Sequence, residues 1–126
     1  MNKKVLYLSA TIAYALLIFL LSSFSGDKTE KLYLFKHSDK IIHLLEYAVL
    51  CFLVSKALSS TLKENVRRYI GLIAVVISLL YAITDEFHQS FVPGRYASID
   101  DIFADGIGAV ISQIILYIKD VKGDLR

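Results

Sequence analysis

The sequence predicts an all-α integral membrane bundle of four transmembrane helices. Of its 126 residues, 56% are hydrophobic and the mean hydropathy is +0.56, too apolar for an ordinary soluble domain of this size. Four apolar windows are each long enough to cross a ~30 Å hydrocarbon core at ~1.5 Å per residue. The first of them carries no charge at all. A soluble helical protein with an unusually apolar core is the disfavoured alternative.

The first window, Val5–Phe24, follows Lys3 and Lys4, as the apolar stretch of a secretory signal would. Its apolar run is longer than a usual signal core, and Ser23-Phe24-Ser25 is a poor small-residue cleavage site, so it reads as a retained helix. The second window is Lys40–Leu58 and holds Cys51. With a single cysteine there is no intrachain disulfide, and the cysteine count says nothing about compartment. The third, Tyr69–Phe91, is uncharged from Ile70 to Thr84, and the fourth, Ile99–Ile118, is uncharged from Gly106 onward. All four are expected to form one membrane domain over residues 1–126.

Basic residues set the expected orientation. Four spans place both termini on the same side as the loop between the second and third. That side carries nine basic residues, namely Lys3, Lys4, Lys56, Lys63, Arg67, Arg68, Lys119, Lys122 and Arg126. The other carries five, Lys28, Lys31, Lys36, Lys40 and Arg95. Positive-inside bias therefore predicts cytoplasmic termini. Basic residues near helix ends suit anionic lipid headgroups rather than nucleic acid, and the net charge of +2 adds little.

Three polar sets then fall in the outer half of the membrane: Asp39 to Tyr47, Asp85 to Gln89, and Asp101 to Asp105. Ionisable groups in spans are costly and usually mark pairing, proton transfer or a ligand. At ~100° per residue, Asp39, His43, Glu46 and Tyr47 share one arc of their helix, and Asp85, Glu86 and Gln89 share another. His88 points away from Glu86. Ser98, Asp101, Asp105, Gly108 and Ser112 form a narrow stripe, and Ala104, Gly108 and Ser112 repeat at the four-residue, small-residue spacing of closely packed membrane helices. One shared cavity explains three such sets better than three accidents. Tyr47 and Tyr81 read as core aromatics with hydroxyls turned into the cluster.

Between the last two windows stands Val92-Pro93-Gly94-Arg95, with the only proline of the chain. Proline fixes φ and glycine permits positive φ, so a tight turn keeps Arg95 near the mouth of the cluster. Ser98 is placed to cap the fourth helix, with Asp100 and Asp101 in its first turn favoured by the helix dipole. Capping accounts for Asp100 but not for Asp105, one turn deeper.

Taken together, Asp39-Lys40-x-x-His43-x-x-x-Tyr47, Asp85-Glu86-x-x-Gln89-x-Phe91-Val92-Pro93-Gly94-Arg95-x-x-Ser98-x-x-Asp101 and Asp105-x-x-Gly108 resemble the VanZ-like family. These are small bacterial integral membrane proteins named for a member linked to teicoplanin resistance. The resemblance runs from about Ser38 to Ala109, and the first helix matches only in being apolar. Asp105 departs from the pattern, since many members carry asparagine there. The resemblance implies a bacterial cell-membrane setting and a link to antibiotic resistance, but it supplies no reaction.

The acids Asp39, Glu46, Asp85, Glu86, Asp101 and Asp105 outnumber Lys40, His43 and Arg95, so the surplus must be protonated, hydrogen-bonded or neutralised by a cation. Three readings stay open. A carboxylate and His43 form a general acid–base site, with Arg95 and Lys40 holding an anionic headgroup. His43 with aspartate or glutamate oxygens holds a divalent metal, a less favoured reading, and no motif identifies a cofactor. Or the groups only pair, fixing helix packing or binding a lipid or peptide. Candidate catalytic residues are Asp39, His43, Asp85, Glu86 and Asp101, and candidate substrate-binding residues are Lys40, Tyr47, Gln89, Arg95, Ser98 and Asp105. Asp85, Gln89, Arg95 and Asp101 stand first among them. The expected function is action at the outer leaflet on or with an envelope lipid or lipid-linked cell-wall precursor, affecting teicoplanin susceptibility. A structural or assembly protein and a small transporter are the alternatives, and neither a reaction nor an oligomeric state is readable.

Overall fold

The fold is that of a computed structural model, which describes residues 2–30 and 38–124. Lys31, Lys36 and Arg126, counted in the charge tally above, lie outside the described residues. Among those described there are no strands. The elements are α1 (Lys3–Ser22), a short α2 (Gly26–Glu30), α3 (Ser38–Thr61), a 3-10 segment (Glu64–Tyr69), α4 (Ile70–Gln89) and α5 (Ile99–Asp124). Four helices are long and apolar enough to cross a membrane, and the chain is a multi-pass membrane protein. The windows read from hydropathy locate all four; α3 and α5 run past theirs, α4 lies inside its window, and α1 starts two residues earlier and stops at Ser22. α3 continues to Thr61 and α5 to Asp124, because their polar ends keep satisfying the backbone ladder after the apolar stretch stops. The short α2 has no hydropathy signal.

α1 opens with Asn2, whose side chain accepts a hydrogen bond from the Lys4 N–H at 3.0 Å and so satisfies one orphan donor of the first turn. Only Ile18 and Ser22 of this helix are buried, which makes α1 the peripheral member of the bundle. α3 is central and packs against α1, α4 and α5. α3 and α5 run parallel in matched register, for Lys40 meets Asp101, His43 meets Asp105, and the Gln113 amide donates to the Cys51 carbonyl. A Cβ added at Gly108 would overlap the Leu44 carbonyl oxygen, so the small-residue stripe does bring these two backbones together. The core below the site holds Tyr47, Leu50, Cys51, Val54, Ala74, Ala82 and Ala109.

α4 and α5 are joined by a hydrogen-bonded turn. The Arg95 N–H donates to the Val92 carbonyl at 3.1 Å, and Gly94 has φ of 74°, a type II arrangement with Pro93 first and Gly94 second. The Gly26 N–H donates to the Pro93 carbonyl at 3.1 Å, so the end of α1 and the start of α2 dock against this turn.

Candidate functional site

All three polar sets converge at the end of the bundle that carries the Pro93–Gly94 turn. Helical periodicity puts His43 and Tyr47 on the inner face of α3, Asp85, Glu86 and Gln89 on that of α4, and Asp101 and Asp105 on that of α5. All seven are buried. Asp100 is exposed, in keeping with a role confined to the first turn of α5.

At the centre, His43 Nδ1 lies 3.0 Å from Asp105 Oδ1, and Asp105 is only 1% exposed. This contact turns the opposite ring nitrogen, Nε2, toward Asp101 Oδ2 at 3.9 Å. Asp101 Oδ1 is paired with the Lys40 ammonium, which also lies 3.3 Å from Asp39 Oδ2. An aspartate holding one imidazole nitrogen while the other faces a second carboxylate is an arrangement suited to moving a proton or holding a cation.

Asp85 and Glu86, adjacent in the chain, take different partners. Asp85 lines a cavity, whereas Glu86 reaches the start of α5. Its Oε2 accepts the Ser98 N–H at 2.8 Å, where α5 begins and backbone donors lack partners within the helix. Ser98 thus meets the cluster through its backbone. Asp85 Oδ2 accepts from Gln89 Nε2 at 3.0 Å. Asp85 Oδ1, Glu86 Oε1 and the Tyr47 hydroxyl are buried with no hydrogen-bond partner among the described residues. Tyr81 does not join the cluster. Its hydroxyl donates to the Ala15 carbonyl of α1 at 2.6 Å, because α1 covers that side of α4.

Arg95 is tied down on all three nitrogens. Its Nη1 donates to Gln89 Oε1 at 2.9 Å, Nε to the Phe24 carbonyl at 3.1 Å, and Nη2 to the Leu21 carbonyl at 3.2 Å. The carbonyls at a helix C-terminus lack intrahelical donors, and a guanidinium there supplies them together with favourable charge. Nearby, Ser23 Oγ lies 3.0 Å from His88 Nε2, and the Phe19 and His88 rings stack at 4.5 Å. His88 therefore faces α1, as its phase away from Glu86 suggested.

These contacts line a partly open cavity of about 90 Å³ beside the cluster, room for several waters or a small polar group. Its polar lining is Asp39, His43, Glu46, Asp85 and Arg95, with Ser22 and Thr29 from the α1–α2 region. Its apolar lining is Ile18, Leu21, Phe24 and Ile42. Sequence reasoning missed the α1 and α2 members, whose one visible signal was the run of small polar residues Ser22, Ser23, Ser25 and Gly26 ending the first apolar window. Glu46, which was counted among the surplus acids but not among the candidate site residues, is half-buried in the cavity wall.

Neither the curated proteins nor the solved structures give a match to this chain. A family match does exist. It spans residues 5–120, includes α1, which the motif resemblance had reached only through its apolarity, and covers nearly the whole chain: the protein belongs to the VanZ/LLP1 family.

Proposed function

We propose that the protein acts at the outer leaflet on or with an envelope lipid or a lipid-linked cell-wall precursor, and that it thereby alters susceptibility to glycopeptides such as teicoplanin. The observation that carries this reading is the two-sided lining of the cavity. Leu21, Phe24 and Ile42 offer apolar surface while His43, Glu46 and Asp85 offer polar groups, a pairing that suits an amphipathic ligand with its headgroup inward. Membership of the VanZ/LLP1 family supports the link to glycopeptide resistance. The basic-residue bias supports a reading with this end of the bundle outside and both termini cytoplasmic.

Because Arg95 and Lys40 are engaged within the protein, the groups left to meet a headgroup are mainly acceptors: Glu46 and the free oxygen of Asp85. Hydroxyl or amine donors of a sugar-bearing headgroup match them better than bare phosphate does. A non-catalytic packing or assembly role is the second reading, favoured by the internal pairing of Lys40, His43 and Arg95. Transport has less support, since the polar groups sit at one end of the bundle rather than halfway along it.

The test uses the full chain in lipid nanodiscs, with and without a polyprenyl-linked cell-wall precursor. Wild type should melt at a higher temperature with the precursor. Asp85→Asn keeps an acceptor for Gln89, so it should fold about as well but gain little from the precursor. An equal rise in both proteins, or none in wild type, would sink the cavity as the binding site.

A further inference from the structure

We propose that His43, Glu86 and Asp101 form a binding site for one divalent first-row metal ion, Zn²⁺ or Mn²⁺. The three residues come from α3, the last turn of α4 and the first turn of α5, and each offers one donor atom. Those donors lie within 4.8 Å of one another. A tetrahedral ion with bonds of about 2.0–2.2 Å holds its ligands about 3.3–3.6 Å apart, so the triad has to contract by up to about 1.3 Å, through side-chain rotation, to close on an ion.

The independent observation is the state of Glu86. This side chain is 2% exposed, yet only Oε2 has a partner, the Ser98 N–H. Oε1 is buried without one among the described residues, and a buried carboxylate oxygen left unpaired is expensive. It is the oxygen left for an ion.

His43 is prepared in the same sense. Asp105 holds Nδ1, leaving Nε2 as the ligand nitrogen, which is the carboxylate–histidine arrangement found behind metal-bound imidazoles. Asp101 is engaged by Lys40 through Oδ1, while Oδ2 faces the imidazole. Glu86, Asp101 and Asp105 bring three formal negative charges against the single ammonium of Lys40, which is itself shared with Asp39. With Asp39 counted, three negative charges remain, and a divalent cation beside a neutral imidazole offsets two of them. One nitrogen and two carboxylate oxygens suit Zn²⁺ through the imidazole and Mn²⁺ through the oxygens. Three protein ligands also leave a coordination position open to water or a ligand donor.

Chelator-stripped full-length protein in detergent is titrated with Zn²⁺ and with Mn²⁺, following heat release and melting temperature. Wild type should take up one ion per chain and melt at a higher temperature. Glu86→Gln retains an acceptor for Ser98 and should bind at least about ten-fold more weakly, and Asp105→Asn about 10- to 100-fold more weakly. X-ray absorption at the edge of the bound metal in wild type should show scattering from one imidazole, a readout independent of whether any variant folds. Uptake of neither ion, a bound ion without imidazole scattering, or Glu86→Gln binding as tightly as wild type would each overturn the site.

Discussion

His43 Nδ1 and Asp105 Oδ1 stand 3.0 Å apart across the parallel α3–α5 interface, and both residues are buried. Removing one partner of a buried pair leaves the other uncompensated, which costs about 3–5 kcal/mol. His43→Ala should therefore destabilise chelator-treated protein by about that amount. Asp105→Asn keeps an oxygen that accepts from the imidazole and should cost nearer 1 kcal/mol. Denaturant unfolding in detergent measures both, and equal losses would refute the pairing.

The close approach of α3 and α5 rests on one glycine. At Gly108 an added Cβ would overlap the Leu44 carbonyl oxygen, and backbone does not yield as a flexible side chain does. Gly108→Ala should cost about 1–3 kcal/mol, the usual range for overpacking. At Gly106 the added atom meets only Leu79 Cδ1, at an ordinary 3.5 Å, so Gly106→Ala should be neutral or slightly stabilising through better helix propensity. Similar thermal shifts for the two variants would show that the interface is looser than described.

Arg95 latches the end of α1 to the site. Arg95→Lys keeps the charge but loses the planar fork that reaches Gln89, Phe24 and Leu21 together. Amide hydrogen exchange around Phe24 to Gly26 should accelerate in Arg95→Lys and more so in Arg95→Ala. Arg67→Ala breaks only an exposed pair with Glu64 and should leave that exchange unchanged. Unaltered exchange in both Arg95 variants would remove the latch.

Orientation is testable at the turn. Gly94 is a poor site for a probe because its φ of 74° strains any other residue, but Tyr96 is 87% exposed. In a Cys51→Ala background, Tyr96→Cys should react with an impermeant thiol reagent added to intact cells. Labelling only after the inner face is opened would reverse the topology and move the site to the cytoplasmic side.

Hydropathy is a sum over neighbours in the chain, so Val5–Phe24 and its three counterparts were readable as spans without knowledge of any contact. Periodicity is equally local, and it assigned His43, Asp85, Asp101 and Asp105 to the faces that the bundle buries. The Pro93–Gly94 turn was legible because each residue restricts or frees its own φ. What each charge would meet was not legible, since partners depend on the register of one helix against another. Only the packed α3–α5 pair sends Lys40 to Asp101 and His43 to Asp105. Only the docking of α1 commits Arg95 to the Leu21 and Phe24 carbonyls and leaves Glu86 to the Ser98 N–H. α1 carries no charge near the site, its Lys3 and Lys4 lying at the far end, and nothing betrays its role in the cavity wall, because its contribution is mainly apolar surface and helix-end carbonyls, which every span possesses.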